Sequence, residues 1–500
     1  MAQEADIADL KQCAGSEVVI SGWLAGRRSG GKIVFLLVRD GTGVCQCIVE
    51  PGDAVAFGCA ETLSLESSVR ITGTVRADKR APGGAEIAVS DIRVIHAADG
   101  DYPISRKAHG VDFLMAHRHL WLRSGTQTAI LKIRHTLIRA CRSFLDELGF
   151  TLVDTPILTP GAGEDAQSLF PVDYFGKKVF LAQTGQLYLE SACMALRRVY
   201  CFGPTFRAEK SKTRRHLAEF WMIEPEVAFA ELDDVIQLAE DMVRSVVSEV
   251  LKLHEHDLAH LGRDIASLTK VRKPFARISY SDAVDLLRSE ELGGRLAQEM
   301  EQDRVRLEEQ IAALKQLEAR LAKTGNSREH DHIADNILSA RETIAELEKD
   351  LASRPDHIQS ARNFQWGNDL GGSDETIISG HFETPVFVTH YPREAKAFYM
   401  KILPEDRRLV CNMDLLAPEG YGEIIGGSQR EEDAAVLLER IGESGLDPAD
   451  YSWYLDLRRY GSVAHGGFGL GIERILSWIC GLKHVRESIA FPRFAGRMDM

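Results

Sequence analysis

Residues 206–226 read FRAEKSKTRRHLAEFWMIEPE. Arg207 offers a planar fork of donors suited to a phosphate or carboxylate oxygen. Glu209 lies two residues on, so on a strand the two side chains share a face. Lys210, Lys212, Arg214 and Arg215 then crowd cations into a short loop, which is costly without an anion among them. Phe220 and Trp221 follow as aromatic surface for a planar base. A surface hairpin with ordinary salt bridges would also explain this segment taken alone. Two further segments bear on the choice. HGGFGLGIERILSWI, residues 465–479, is a glycine-rich turn entering an apolar helix. Its glycines let a ligand approach the backbone closely, and Arg474 can meet a polyphosphate there. Upstream, GEIIGGSQREED sets Glu423 and Arg430 seven apart around a glycine pair. A carboxylate beside a polyphosphate suits Mg²⁺, which takes a few protein oxygens plus substrate phosphates.

These segments need a scaffold, and the chain changes grammar along its length. Five hundred residues predict two or three domains. Up to about residue 100, EVVISGW, KIVFLLVRD, VCQCIVE, SSVRITGTVRA and AEIAVSDIRVI are short, β-branched and separated by glycine turns. Five such strands suggest a small closed barrel of the OB type, residues 1–103, although any small β-barrel would fit the count. A polar, basic connector occupies 104–124, and a large α+β region follows over 125–500. It opens on TAILKIRHTLIRACRSFLDELGF, whose apolar residues recur at helical spacing and which ends at Gly149. An antiparallel sheet flanked by helices is the simplest description of this region.

Residues 291–353 interrupt it. Leu307, Ile311, Leu314 and Leu321 form one helical stripe, and Ile337, Ile344 and Leu351 another, with the break KTGNSREHD between them. The pattern predicts an inserted antiparallel helical hairpin. Its 14 acidic and 9 basic residues exclude a basic arm for RNA. A solvated insertion and a docking site for a partner or second subunit both remain open.

Composition limits the function classes. With 44% hydrophobic and 27% charged residues, the chain matches an ordinary soluble protein. No apolar run is long enough to span a bilayer, and MAQEADIADLKQCAG lacks the basic head and apolar stretch of an export signal. The nine cysteines are scattered without zinc-site spacing, as expected of reduced thiols in a cytoplasmic protein. A net charge of −14 argues against indiscriminate binding to nucleic acid but allows a local basic groove.

Three segments in this order resemble the class II aminoacyl-tRNA synthetases of the aspartyl, asparaginyl and lysyl subgroup. GFTLVDTPIL, with Pro156, is similar to motif 1, the 206–226 stretch to motif 2, and GFGLGIERIL to motif 3; VRESIAFPR resembles the close of these chains. The resemblance covers nearly everything except the helical insertion. It implies an α+β catalytic domain on an antiparallel sheet, an N-terminal OB barrel that reads an anticodon, and a homodimer through motif 1. It also implies ATP as substrate and Mg²⁺ as its companion ion.

The family's aspartyl members hold the substrate carboxylate with a lysine in a Q-L-F-K-like segment and an arginine in a GG-S-x-R-like segment. Here the first reads TGQLYLES, with Gln186 kept and Leu189 at the lysine's place, while Arg430 keeps the arginine. Glu224 of WMIEPE stands where those members carry aspartate. A neutral carboxamide is expected to suit this set: glutamate accepts from its NH₂ and repels a carboxylate, while Arg430 donates to its oxygen. The wording of both segments is most similar to the asparaginyl branch, so the resemblance implies L-asparagine and its cognate tRNA as substrates. An aspartyl enzyme, one charging both tRNAs, a tRNA-independent asparagine synthetase and a non-catalytic RNA-binding scaffold are the rivals.

The resemblance further implies roles. Arg207 binds the α-phosphate and the amino-acid carboxylate, Glu209 meets adenine, and Phe220 stacks on it. Arg215 and His216, followed by Leu217, lie in the motif 2 loop beside the outer phosphates. Arg474 next to Gly471 clamps the γ-phosphate, Glu423 holds Mg²⁺, and Asp414 is a second metal candidate. Glu164 of GAGEDAQ receives the substrate ammonium, and Gln186, Leu189, Glu224 and Arg430 surround its side chain. In the barrel, Phe35 stacks on an anticodon base with Arg28 and Gln46 close by, although a core-facing Phe35 is an equal alternative.

Overall fold

A computed structural model describes residues 2–30, 32–52, 54–104, 109–164, 166–210, 213–324 and 327–498. Lys212 of the cationic loop, residues 105–108 of the connector and 325–326 of the hairpin break lie outside the described residues. The chain divides into two units, Met1–His109 and Gly110–Met500.

In the first unit, β1 (Glu17–Gly30), β2 (Ile33–Arg39), β3 (Val44–Val49), β4 (Ser68–Ala77) and β5 (Ala85–His96) form a closed sheet in the order β1-β2-β3-β5-β4, with β4 returning to β1. A short helix, α1 (Ala54–Thr62), sits between β3 and β4 in the chain. Strand alternation decides which side chains fill the barrel. Val34, Leu36 and Val38 on β2 and Cys45 and Cys47 on β3 are buried inside, so Phe35 and Gln46 take the outer face. Phe35 therefore does not face the core.

Among the described residues, the main sheet of the second unit has eight strands: β6 (Thr151–Leu152), β7 (Arg198–Phe206), β8 (Glu219–Ala228), β9 (Ala276–Ser279), β10 (Val386–Thr389), β11 (Asn412–Ala417), β12 (Gly422–Gln429) and β13 (His465–Gly471). Their order is β9-β10-β11-β12-β13-β8-β7-β6. The six inner strands are antiparallel as predicted, but the outermost strands, β9 on β10 and β6 on β7, pair in parallel. Both parallel pairs are separated in the chain by long crossovers, the connection parallel strands require. Helix α2 (Gly125–Glu147) starts at Ser124, whose side chain accepts from the Gln127 amide, and stops before Gly149 at φ 77°. Its Ile130, Ile133, Leu137, Cys141 and Leu145 face α4 (Leu232–Leu253) and the sheet in the main core, with α3 (Gln186–Leu196) packed against β7 and β8.

The predicted hairpin is two helices, α5 (Glu290–Leu321) and α6 (Ser327–Arg362). It runs nine residues past the predicted end at 353, because α6 continues through Pro355, a residue that normally ends a helix. Ion pairs Asp303–Arg354 (2.6 Å) and Glu318–Arg341 (2.7 Å) cross between the helices. At the root, Leu292, Leu296 and Ala361 join a core with Tyr280, Phe364 and Ile378, the last from α7 (Gly372–His381). Higher up, Asp350 lies 3.4 Å from Arg214, and Glu346 also reaches the body at Lys483.

Candidate active site

Strands β7 and β8 run antiparallel from Arg198↔Val227 to Phe206↔Glu219, and β8 continues onto β13 with Met222 opposite Gly471. This register brings the loop after β7, the start of β8 and the start of α9 (Ile472–Cys480) to one place. Arg207, Glu209, Arg215, His216, Leu217, Phe220, Glu423, Gly471 and Arg474 all line one cleft there. All nine residues expected at a nucleotide therefore converge, although they span 268 positions of the chain. A larger cavity of about 840 Å³ adjoins it beneath α6 and shares Arg215, His216 and Arg474; its outer wall is the hairpin.

The cleft's charges pair with one another. Arg207 lies 2.7 Å from Glu164 and its guanidinium sits 5.3 Å from the Phe220 ring. Burial, with Glu224, Glu423 and Glu209 nearby, pushes the Glu164 carboxyl up despite Arg207. Arg474 donates to Glu423 Oε2 at 2.9 Å and to its carbonyl at 3.1 Å. Burial would raise the Glu423 pKa, but Arg474, Lys396 and Arg207 outweigh it and hold this carboxylate below its ordinary value. His216 faces Glu209 at 3.6 Å, with burial and Arg474 lowering its imidazole pKa. Arg215 departs from its expected employment. Its guanidinium donates to the Gly372 carbonyl (3.2 Å) and Glu375 (3.1 Å) and also to Thr376 and the Gly420 carbonyl. It thus straps α7 to the loop before β12, and any contact with phosphate requires it to leave acceptors it already has.

Asp414 and Glu423 come from neighbouring strands. A Cβ at Gly426 would lie 2.9 Å from Glu423 Oε1 and 3.6 Å from Asp414 Oδ1, so both carboxylates bracket that glycine. The loop APEGY between the two strands leaves them adjacent. A third acid was missed: Glu375 on α7 accepts from the Glu423 amide at 3.1 Å. Burial and repulsion by Glu423 push Glu375 up to about 7. Burial likewise raises Asp414, to about 6, although Lys396 lies 2.8 Å away. Oxygen donors that resist ionising together suit a hard divalent cation, so these residues fit Mg²⁺. No local pattern in SDETIIS could have flagged Glu375.

At the other end, Glu224 is 5% exposed; Thr184 donates to one oxygen, and the Gly185 amide (2.9 Å) and Cys201 thiol (3.3 Å) to the other. Arg430 makes a two-pronged pair with Glu226, at 3.0 and 2.8 Å, and donates to Ser428 at 2.7 Å. The neighbouring strand must be glycine here, because a Cβ at Gly467 would come within 2.3 Å of Glu226 Oε2. Leu189 is corrected. It packs in an apolar cluster with Cys193, Val199, Cys201 and Ala228, so its side chain serves the core around the pocket. Gln186 donates to Glu190, one helical turn on, at 3.0 Å.

On the barrel's outer face, the Arg28 guanidinium lies 4.5 Å from the centre of the Phe35 ring and donates to Gln46 at 3.4 Å. Gln46 in turn donates to Glu86 at 3.0 Å. The three residues expected to meet RNA thus form one aromatic and polar patch, with Glu86 an addition the sequence did not reveal.

Residues 110–495 match the family tRNA synthetases class II (D, K and N), and residues 18–95 match the OB-fold nucleic acid binding domain. The asparagine–tRNA ligase of Sorangium cellulosum is 48% identical over 98% of both chains, and that of Pelotomaculum thermopropionicum 46% identical over the same shares. Among solved structures, asparaginyl-tRNA synthetase from Pyrococcus horikoshii complexed with asparaginyl-adenylate aligns over all of both chains at 38% identity and a TM-score of 0.81.

Proposed function

This chain belongs to the class II tRNA synthetases of the aspartate, lysine and asparagine group, and from that premise we propose how its cleft selects and activates an amino acid. It is an aminoacyl-tRNA ligase that attaches L-asparagine to tRNA(Asn) at the expense of ATP, through an asparaginyl-adenylate. The observation that carries the choice of amino acid is the charge balance around Arg430. Its guanidinium is already matched by Glu226, Glu224 adds a further carboxylate, and an apolar leucine fills position 189. No surplus cation awaits an aspartate side chain, whereas a carboxamide can donate to Glu224 and accept from Arg430.

In this reading the Arg207–Glu164 ion pair parts when substrates enter. Arg207 takes the α-phosphate and the asparagine carboxylate, and Glu164 takes the ammonium. Phe220 and Glu209 hold adenine, with Leu217 and Gly471 against the nucleotide. His216, Arg474 and, once released from α7, Arg215 meet the outer phosphates. Glu423 and Asp414 hold Mg²⁺, which neutralises phosphate charge when bound. The asparagine carboxylate attacks the α-phosphorus in line and diphosphate leaves. The terminal ribose hydroxyl of the tRNA then attacks the adenylate carbonyl and AMP leaves. No covalent enzyme intermediate is required; alignment and stabilisation of developing charge do the chemistry.

Phe35, Arg28 and Gln46 hold anticodon bases by stacking and hydrogen bonds. Leu148, Leu152, Ile157 and Leu158 are each about 40% or more exposed around motif 1, an apolar surface that suits a homodimer interface. The nine free thiols suit the cytoplasm. Amino-acid-dependent pyrophosphate exchange tests the whole reading: exchange with asparagine is expected, and strong exchange with aspartate alone overturns it.

A further inference from the structure

Behind Arg430 lies a carboxylate that the reaction does not use. Glu190, on α3 directly after Leu189, is completely buried. Arg458 of α8 (Ser452–Arg459) donates to it at 2.7 Å, the Tyr454 hydroxyl lies at 2.7 and 2.8 Å from its two oxygens, and His465 Nε2 at 3.1 Å. Gln186 donates from the pocket side at 3.0 Å, and Arg430 Nε stands 3.9 Å away. Glu190, Glu226 and His465 bring candidate ligand atoms within 4.8 Å of one another, as a metal site would. The two arginines, however, already supply the cations there.

We propose that Glu190 is a positioning and specificity-determining residue: its buried charge cancels the second arginine behind the pocket and fixes Arg430 and Gln186 for a neutral carboxamide, so that aspartate finds no net positive charge. Three observations support this. Glu190 is the only carboxylate paired with Arg458 among the described residues, so without it Arg458 is a buried, uncompensated cation. Burial would raise the Glu190 pKa, yet Arg458, His465 and Arg430 hold it below the ordinary carboxylate range. It touches Gln186 directly and stands one guanidinium away from Arg430's other contacts, so it acts through both. The proposal rests on the asparagine reading above.

The test is pyrophosphate exchange with asparagine and with aspartate on the full-length Glu190→Gln variant, which keeps shape and removes one charge. The KM for asparagine should rise while the KM for ATP stays within about twofold, and aspartate should gain. Glu190 stands 3.9 Å from Arg430 Nε; for a carboxylate held one hydrogen bond beyond that arginine, removing a unit charge about 7 Å away at an effective dielectric of about 20 would shift the aspartate-to-asparagine ratio of kcat/KM by roughly 10- to 100-fold. A merely structural role would lower both amino acids and ATP together and leave the ratio unchanged; that result overturns the proposal. If this variant does not fold, Glu190→Asp retains the charge and shortens the reach. It should keep rejecting aspartate while its asparagine KM rises, and an equal gain for aspartate overturns the proposal. Wild-type exchange with asparagine is the control that keeps the two levels apart, since its absence would strike the functional reading itself.

Discussion

Replacing Glu224 with glutamine removes one charge and one acceptor from the amino-acid pocket with little disturbance around it. In the wild type, Thr184 and the Gly185 amide each hold a different carboxylate oxygen. A glutamine can keep its oxygen on Gly185 and turn its NH₂ toward the Thr184 hydroxyl, so the side chain remains in place. What it loses is a charge-assisted acceptor for the substrate NH₂, about 1.5–3 kcal/mol. At about 1.4 kcal/mol per factor of ten, kcat/KM for asparagine should fall roughly 10- to 150-fold. Met222 and Phe220, not Glu224, line the nucleotide cleft, so the KM for ATP should change less than about threefold. Steady-state pyrophosphate exchange, varying each substrate in turn, measures both. Equal losses for asparagine and ATP, or no loss for asparagine, would refute the assignment of Glu224 to the carboxamide.

Glu375 makes the stability pH-dependent. Its pKa is raised from 4.5 to about 7, so the folded state binds the extra proton and stability falls as pH rises from about 4.5 through 7. The loss is at most about 3.5 kcal/mol. Thermal unfolding should show a fall in Tm across that window that Glu375→Gln flattens, and identical slopes would contradict it. Replacing the outer hairpin, residues 313–344, with a short glycine-rich turn should leave exchange within about twofold, because the root core and the contacts of Glu346 and Asp350 remain. Lost exchange in a folded variant would show that the outer hairpin matters to the cleft. Phe35→Ala should weaken tRNA aminoacylation by about 1–3 kcal/mol of stacking while leaving exchange without tRNA unchanged, and a parallel fall in both would place Phe35 in folding.

The barrel was legible because each strand carries its own local signature: β-branched runs closed by glycine turns, with alternate residues buried. The cleft was legible through Arg207, Glu209 and Arg474, whose motifs carry spacing as well as type. The hairpin was recognised, but its end was misjudged at Pro355, where tertiary packing of Ala361 and Phe364 keeps the helix going against local preference. The amino-acid pocket was only half visible. Leu189 is a core residue, while its neighbour Glu190 finds Tyr454, Arg458 and His465 at separations of 264, 268 and 275 residues. Pairings that distant leave no mark in a sequence window. Arg215 shows the converse: its position in the loop suggested phosphate, and only α7, far along the chain, reveals its other acceptors.

Helix α5 has 32 residues, a rod of about 48 Å at 1.5 Å per residue. Its lower half is tied through Asp350 on its companion to the loop that carries Arg215 and His216. The foot of this rod therefore stands beside the cleft. A tilt of about 5° at its foot sweeps the far end through roughly 4 Å, so a dye pair spanning tip and body would turn a small rearrangement of that loop into a readable optical signal.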